Sequence, residues 1–256
     1  MREPLQNIQL IRDSLALYAK FFAPFTLLAI VPLALEVFVS WTLFSDLLTV
    51  DPSQMETEEA LSAYVADITR MALVTLPIAL VASSITSAMI SLAVADNRQG
   101  RPLNLPFYIT RGLSRLPLIV LLSLVTLIMI VFGMLFLLLP GLYLAAAFWV
   151  LIPLLMIERR GFDALARCWT LTQGYRWHIL GLLLLAGLAI VLVSFLINLI
   201  LVRTLMGDAT NLWSGAVIKI LGSAPLTAIL LILTTNIYLQ LREIKEGVTV
   251  EEIMPA

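Results

Sequence analysis

Histidine and cysteine are almost absent from this chain of 256 residues: His178 and Cys168 are the only ones. A lone cysteine excludes an intrachain disulfide. A lone histidine excludes a multi-histidine metal site or a histidine relay within one subunit. Charge is scarce too, at 13% of residues, against about 25% in ordinary soluble domains. The net charge of −1 gives no electrostatic footprint for nucleic acid. Also missing are a nucleophile elbow, a phosphate-binding glycine loop and paired carboxylates. A serine hydrolase working inside the membrane needs a buried histidine partner, and His178 falls at the edge of an apolar run. The chain reads as a non-enzyme without a cofactor or metal. The first twenty residues hold no continuous apolar core, so no cleavable signal peptide is expected.

What the chain has instead is apolar length. Hydrophobic residues make up 61% of it, against about 45–50% in soluble domains, and its mean hydropathy is +1.00. About 20 apolar residues carry a helix across the hydrocarbon. Six runs meet or approach that length, at 21–44, 71–95, 117–139, 142–157, 178–202 and 220–241. They predict an all-α integral membrane protein with one transmembrane domain over 1–241 and a cytoplasmic tail at 242–256. Prolines 24, 32, 153 and 225 fall within the runs, where neighbouring helices can satisfy the freed carbonyls.

The basic residues orient the six runs. All of the 16 except Arg70, Arg203 and Lys219 fall before Phe21, in 96–116, in 158–177 or after Leu241. Basic loops stay inside, so both termini are expected in the cytoplasm. Residues 45–70 form the longest polar loop, acidic and outside, with a short helix expected near 57–68. A threefold pattern follows. Lys20, Arg115 and Arg176 each end an amphipathic segment just before a pair of spans, which predicts three helical hairpins, each preceded by an interfacial helix. In the first segment the apolar residues Leu5, Ile8, Ile11, Leu15 and Tyr18 recur at helical spacing. Asn104 is the expected cap of the second, with Pro106 in its first turn. Asp163 is the expected cap of the third, whose Leu165, Trp169 and Thr172 share a face.

Four polar residues in or bordering the spans stand out as candidates: Glu36, Lys219, Asn198 and Asn236. Glu36 is the one acidic side chain placed there, and an ionisable group at that depth is a functional candidate by default. Its bland reading is a structural ion pair with Lys219, at the outer end of span six. Asn198 and Asn236 read as hydrogen bonds between helices. In span two, Thr75, Ala79, Ser83, Ser87, Ser91 and Ala95 recur every four residues. Such a stripe lets two helices pack closely, or lines a polar path.

The densest pattern runs from Pro140 to Trp177. Pro140-Gly141 reads as a tight turn, Pro153 breaks the next span, and Glu158 ends it. Ala164 and Arg167-Cys168-Trp169-Thr170-Leu171 then form a short helix, closed by Gly174 and an aromatic knee at Trp177. This pattern resembles the membrane domain associated with glycerophosphodiester phosphodiesterases, and the YciC-like inner-membrane proteins. The resemblance covers about 40 residues and implies a six-helix protein of a bacterial inner membrane. The phosphodiesterase activity of the fused relatives belongs to a separate soluble barrel, for which this chain has neither the length nor the acidic and histidine residues. Where the family has serine this chain has Cys168, which leaves open the helix-to-helix hydrogen bond a serine makes.

Three roles remain open. The first is a part in envelope or membrane-lipid homeostasis, with membrane lipids, anionic ones included, as partners. It requires a lipid-sized groove bordered by Arg167 or the other inner arginines. The second is a small transporter or channel, which requires a water-accessible cavity reaching Glu36. The third is an anchor for a membrane-protein partner or a second copy, which requires neither.

Overall fold

The computed structural model describes residues 7–49, 57–205 and 212–247. Among them the chain is helical and has no strand. The helices run α1 Asn7–Lys20, α2 Phe22–Thr49, α3 Glu58–Arg98, α4 Leu105–Phe136, α5 Leu138–Phe148, α6 Leu151–Ile157, α7 Ala164–Thr172, α8 Arg176–Leu205 and α9 Leu212–Glu246. Six stretches are long and apolar enough to cross a membrane: α2, α3, α4, the α5–α6 pair, α8 and α9.

Helix α3 is the axis. It packs against α2, α4, α6 and α9, and residues 86–96 are buried without a break. The cause is side-chain size. Ser87, Ala88, Ser91, Ala93 and Ala95 hold neighbouring backbones close, and packing rather than a hydrophobic drive joins helices in lipid. Helix α2 packs on α3, α4 on α5, and α8 on α9. The short helix expected at 57–68 is continuous with span two. Thr57 caps the combined helix, its hydroxyl accepting from the Ala60 amide at 3.3 Å.

Several local expectations change. The chain reverses at Leu137, which is extended (φ −162°, ψ 140°), not at Pro140-Gly141. Pro140 lies in the first turn of α5, where a missing N–H costs nothing. Gly141 is needed for close approach: a Cβ there would lie 2.2 Å from Met134 Cγ and 2.6 Å from its backbone nitrogen. Pro153 acts as expected. It cannot donate to the carbonyl of Trp149, and the helix breaks at Trp149–Val150 between α5 and α6. Gly174 has φ 90°, a conformation that glycine adopts at little cost. The last span continues to Glu246 and carries Arg242 with it.

The short helices present other faces than their spacing suggested. Helix α1 buries Leu10, Ser14, Leu17 and Tyr18, and packs on α9, while Ile8 and Leu15 are exposed. Helix α7 buries Ala164, Cys168, Leu171 and Thr172, and leaves Trp169 at its rim. Asn104 caps α4 through the Phe107 amide at 3.2 Å. Asp163 occupies the cap position of α7 but makes no cap bond. Its carboxylate turns back to the Gly161 amide and Arg160.

Candidate functional site

A cavity of about 680 Å³ opens between α2, α3, α4 and α9. Proline 32 shapes its wall. Its ring nitrogen cannot donate to the Leu28 carbonyl one turn back. The Thr86 hydroxyl of α3 reaches that carbonyl at 3.4 Å, while also lying 3.1 Å from the Ala82 carbonyl. One helical turn beyond Pro32 on the same face comes Glu36, half-buried and lining the cavity with Pro32 and Leu33. The rest of the lining is mostly apolar, from Leu76, Leu80, Val120, Leu124 and Leu231 among others. The span-two stripe divides here. Ala79, Ser83 and Ser87 face the cavity, whereas Ser91 and Ala95 are buried in the packed half of α3.

A second pocket of about 230 Å³ shares Ser87 and Leu231 with the first. Its wall is mostly apolar, from Phe148, Leu151 and Ile152 among others, with the hydroxyl residues Ser87, Ser91, Ser123, Thr126 and Thr234 interspersed. The Trp149 indole donates to Thr234 Oγ1 at 2.8 Å on its wall. The Thr235 hydroxyl lies 3.3 Å from Ser91 Oγ. Two neighbouring, mostly apolar spaces thus flank Ser87 and Leu231, one of them bordered by the Glu36 carboxylate.

Polar contacts close the bundle at the end that holds α1, α7 and the 99–104 connection. Glu158 is the hub there, with its side chain only 6% exposed. It accepts from Arg160 Nε at 2.7 Å, Arg167 Nε at 3.2 Å and the Tyr238 hydroxyl at 3.0 Å. Arg242 lies 3.6 Å away. Glu246 joins the group by pairing with Arg167 and, at 2.9 Å, with Arg242. Burial disfavours the charge on Arg167, but its bonds to Glu158 and Glu246 outweigh that and raise its pKa. The bond from Arg160 holds the Asp163 carboxyl below its usual range. Asn236 does what was expected of it, joining helices: it accepts from Arg98 at 3.1 Å and donates to Ser14 Oγ at 2.9 Å. Arg98 also reaches Asp13 at 3.3 Å. Tyr108 donates to Asp96 at 2.7 Å.

The aromatic knee packs around a cation. Arg176 is 4% exposed, lies 3.6 Å from the Trp169 ring centroid and donates to the Tyr143 hydroxyl at 2.7 Å. Trp177 lies against Tyr143 and is 62% exposed. Cys168 is fully buried, and burial together with the nearby Glu158 charge pushes its thiol up to about 12. The hydroxyl bond that a serine would make there is made one turn on. Thr172 Oγ1 lies 3.2 Å from the Ala147 carbonyl and 2.8 Å from that of Cys168.

The structure therefore brings Glu158 and Arg167 together and sets Glu36 in a separate site. Lys219 and Asn198 lie on helices, but their side chains fall outside the described residues. Sequence reasoning missed Tyr238, Arg242 and Glu246. Their four-residue spacing places them on one helix face, a signal visible in the sequence once the helix is continued past Leu241. Among the described residues no three metal-ligating side chains come together. No family model matches the chain, and neither a curated protein nor a solved structure matches it.

Proposed function

We propose that this chain is a non-enzymatic, multi-pass protein of a bacterial inner membrane that holds an amphiphilic molecule between its helices, as part of membrane-lipid homeostasis. It is built as three units of surface helix and hairpin, with both termini in the cytoplasm, in the manner of the YciC-like proteins it resembles. The gathering of Arg98, Arg115, Arg159, Arg160, Arg167 and Arg242 at one end of the bundle supports that orientation.

The cavity at Glu36 carries the reading. Its 680 Å³ falls within the range of about 300–1,000 Å³ typical of small-molecule sites. Its lining is that of such a site, apolar with few polar groups. A carboxylate at one end selects an amine or hydroxyl head, and the leucine-rich wall takes a chain. Arg167 is engaged by two carboxylates, so this reading rests on the cavity and not on Arg167.

The test is mass spectrometry of the protein extracted in polymer discs with its native membrane. An amphiphile enriched over the bulk membrane, and lost in Ser83→Trp, supports the reading. No enriched species in the unaltered protein refutes it. The transporter reading has one observation in its favour, the hydroxyl pocket adjoining the cavity. It requires uptake into vesicles that Glu36→Gln abolishes.

A further inference from the structure

Among the described residues the ion-pair cluster around Glu158 leaves neighbouring cations unmatched. Glu158, Asp163 and Glu246 are matched by Arg160, Arg167 and Arg242. Arg111, Arg115 and Arg159 stand beside this group with no carboxylate in ion-pair range among the described residues. Arg111 and Arg115 are four residues apart on α4 and so share a helix face. Arg115 is held in place by two carbonyls, donating to Leu155 at 2.9 Å and Arg159 at 3.4 Å. The second of these bonds ties the loop after α6 to α4. The positive charges of Arg159 and Arg115 both act on Arg111.

Two costs coincide here. Three guanidinium groups in one corner repel each other, and their fields are screened less at a membrane boundary than in bulk water. Arg159 also has φ 56°, the one non-glycine left-handed residue among those described. Such a conformation is strained for a residue with a side chain, and strained residues cluster at functional sites. The left-handed backbone keeps Arg159 exposed beside α4, while the side chain before it, Glu158, is buried in the neutral cluster. Around these arginines the surface is apolar. Phe107, one turn before Arg111 on the same face and 43% exposed, lies under its guanidinium at 5.7 Å, and Phe162 is 69% exposed three residues after Arg159. A soluble anion gains nothing from such flanks, whereas a phosphate carried on acyl chains does.

We propose that Arg111, Arg115 and Arg159 form a binding site for the phosphate of an anionic phospholipid headgroup. Guanidinium forks match the oxygens of a phosphate. A phosphate in this corner would offset the repulsion, and the exposed Phe107 and Phe162 would lie against its chains. The site shares no residue with the Glu36 cavity. It rests only on the membrane setting proposed above, and Ser83→Trp, which fills that cavity, leaves it intact.

The experiment uses the full chain in nanodiscs, first of phosphatidylcholine with phosphatidylglycerol, then of phosphatidylcholine alone with inorganic phosphate added. Lipid retained on mild extraction is counted by native mass spectrometry. The key variant is Arg111→Gln with Arg159→Gly, since glycine adopts φ 56° readily and Arg111 is not part of the ion-pair cluster. The unaltered chain should retain phosphatidylglycerol preferentially. The double variant should lose roughly thirtyfold in that preference, at about 1 kcal/mol per basic residue beside an anionic leaflet. Arg70→Gln, in an exposed pair with Asp67, should change nothing. Thermal stabilisation by inorganic phosphate that the variant abolishes, with no lipid preference, keeps the phosphate site and assigns its ligand to a soluble source. A lipid preference that survives in the variant, or no response to either probe, overturns the proposal.

Discussion

Removing the charge of Glu158 tests whether the closed end is held by one shared cluster or by independent pairs. Glu158→Gln keeps the shape of the side chain and takes away its charge. Breaking a buried ion pair costs about 3–5 kcal/mol when the remaining charge has no other partner. Here each cation keeps a second acceptor. Arg160 retains Asp163 at 2.7 Å, Arg242 retains Glu246 at 2.9 Å, and Arg167 also retains Glu246. The expected loss is nearer that of one charged hydrogen bond, about 2–3 kcal/mol. For a chain of this size that is a fall of roughly 4–12 °C in Tm. Glu246→Gln alone should cost less, because Arg167 and Arg242 keep Glu158. Together the two changes leave both arginines, 23% and 12% exposed, without a carboxylate. The double variant should therefore exceed the sum of the single ones by about 1 kcal/mol or more. The assay is thermal unfolding in detergent, followed by loss of the monomer peak on size exclusion. Strictly additive losses, or a Tm for Glu158→Gln within about 1 °C of the unaltered chain, would refute a shared cluster.

Two further outcomes can be read in the same preparation. Gly141→Ala should cost about 1–3 kcal/mol, because its Cβ meets the backbone of Met134, while Gly187→Ala in α8, with nothing within 4 Å, should leave stability unchanged or raise it by up to about 1 kcal/mol; equal effects at the two sites would sink the close-approach argument. Cys168 should react with maleimide at pH 8 only after denaturation: burial raises its folded pKa to about 12, so the neutral thiol's contribution to stability is complete below the unfolded value of about 8.5 and is lost as pH rises through that of the fold. Labelling of the native protein as fast as of the denatured one would contradict that burial.

What the sequence discloses follows from what lipid demands. A spanning helix must satisfy its own backbone and bury few charges, so six apolar runs are visible without knowledge of their neighbours. Caps are legible for a similar reason, since Asn104 and Thr57 act within three residues of themselves. Glu158 and Arg167 are also near each other in the chain, and their pairing could be suspected from the short helix between them. Tyr238, Arg242 and Glu246 could not be assigned to Glu158 in that way, because about 80 residues separate them and only the packing of α9 closes the gap. Asp163 and Pro140-Gly141 misled for the opposite reason. Their local signals were real, but Arg160 offered the carboxylate a charged partner stronger than a cap, and the close approach of α4 and α5 required the glycine in a helix, with the reversal at Leu137.

The cavity was the least legible feature, and the cause is geometric. Its walls come from four helices, and which side chains face it depends on the rotation of each about its own axis. The four-residue stripe of span two gave that rotation for α3 alone. It could not say that Ala79 and Ser83 border an open space while Ala95 is buried among neighbouring helices. That difference separates the two ends of the bundle. Where α3 carries Ser87, Ala88, Ser91 and Ala95 in unbroken burial, its neighbours meet it and polar contacts among α1, α3, α6, α7 and α9 lock the end. Where α2 and α3 carry Pro32 and Pro77 in mid-helix, the ladder of each is interrupted and the helices part around Glu36.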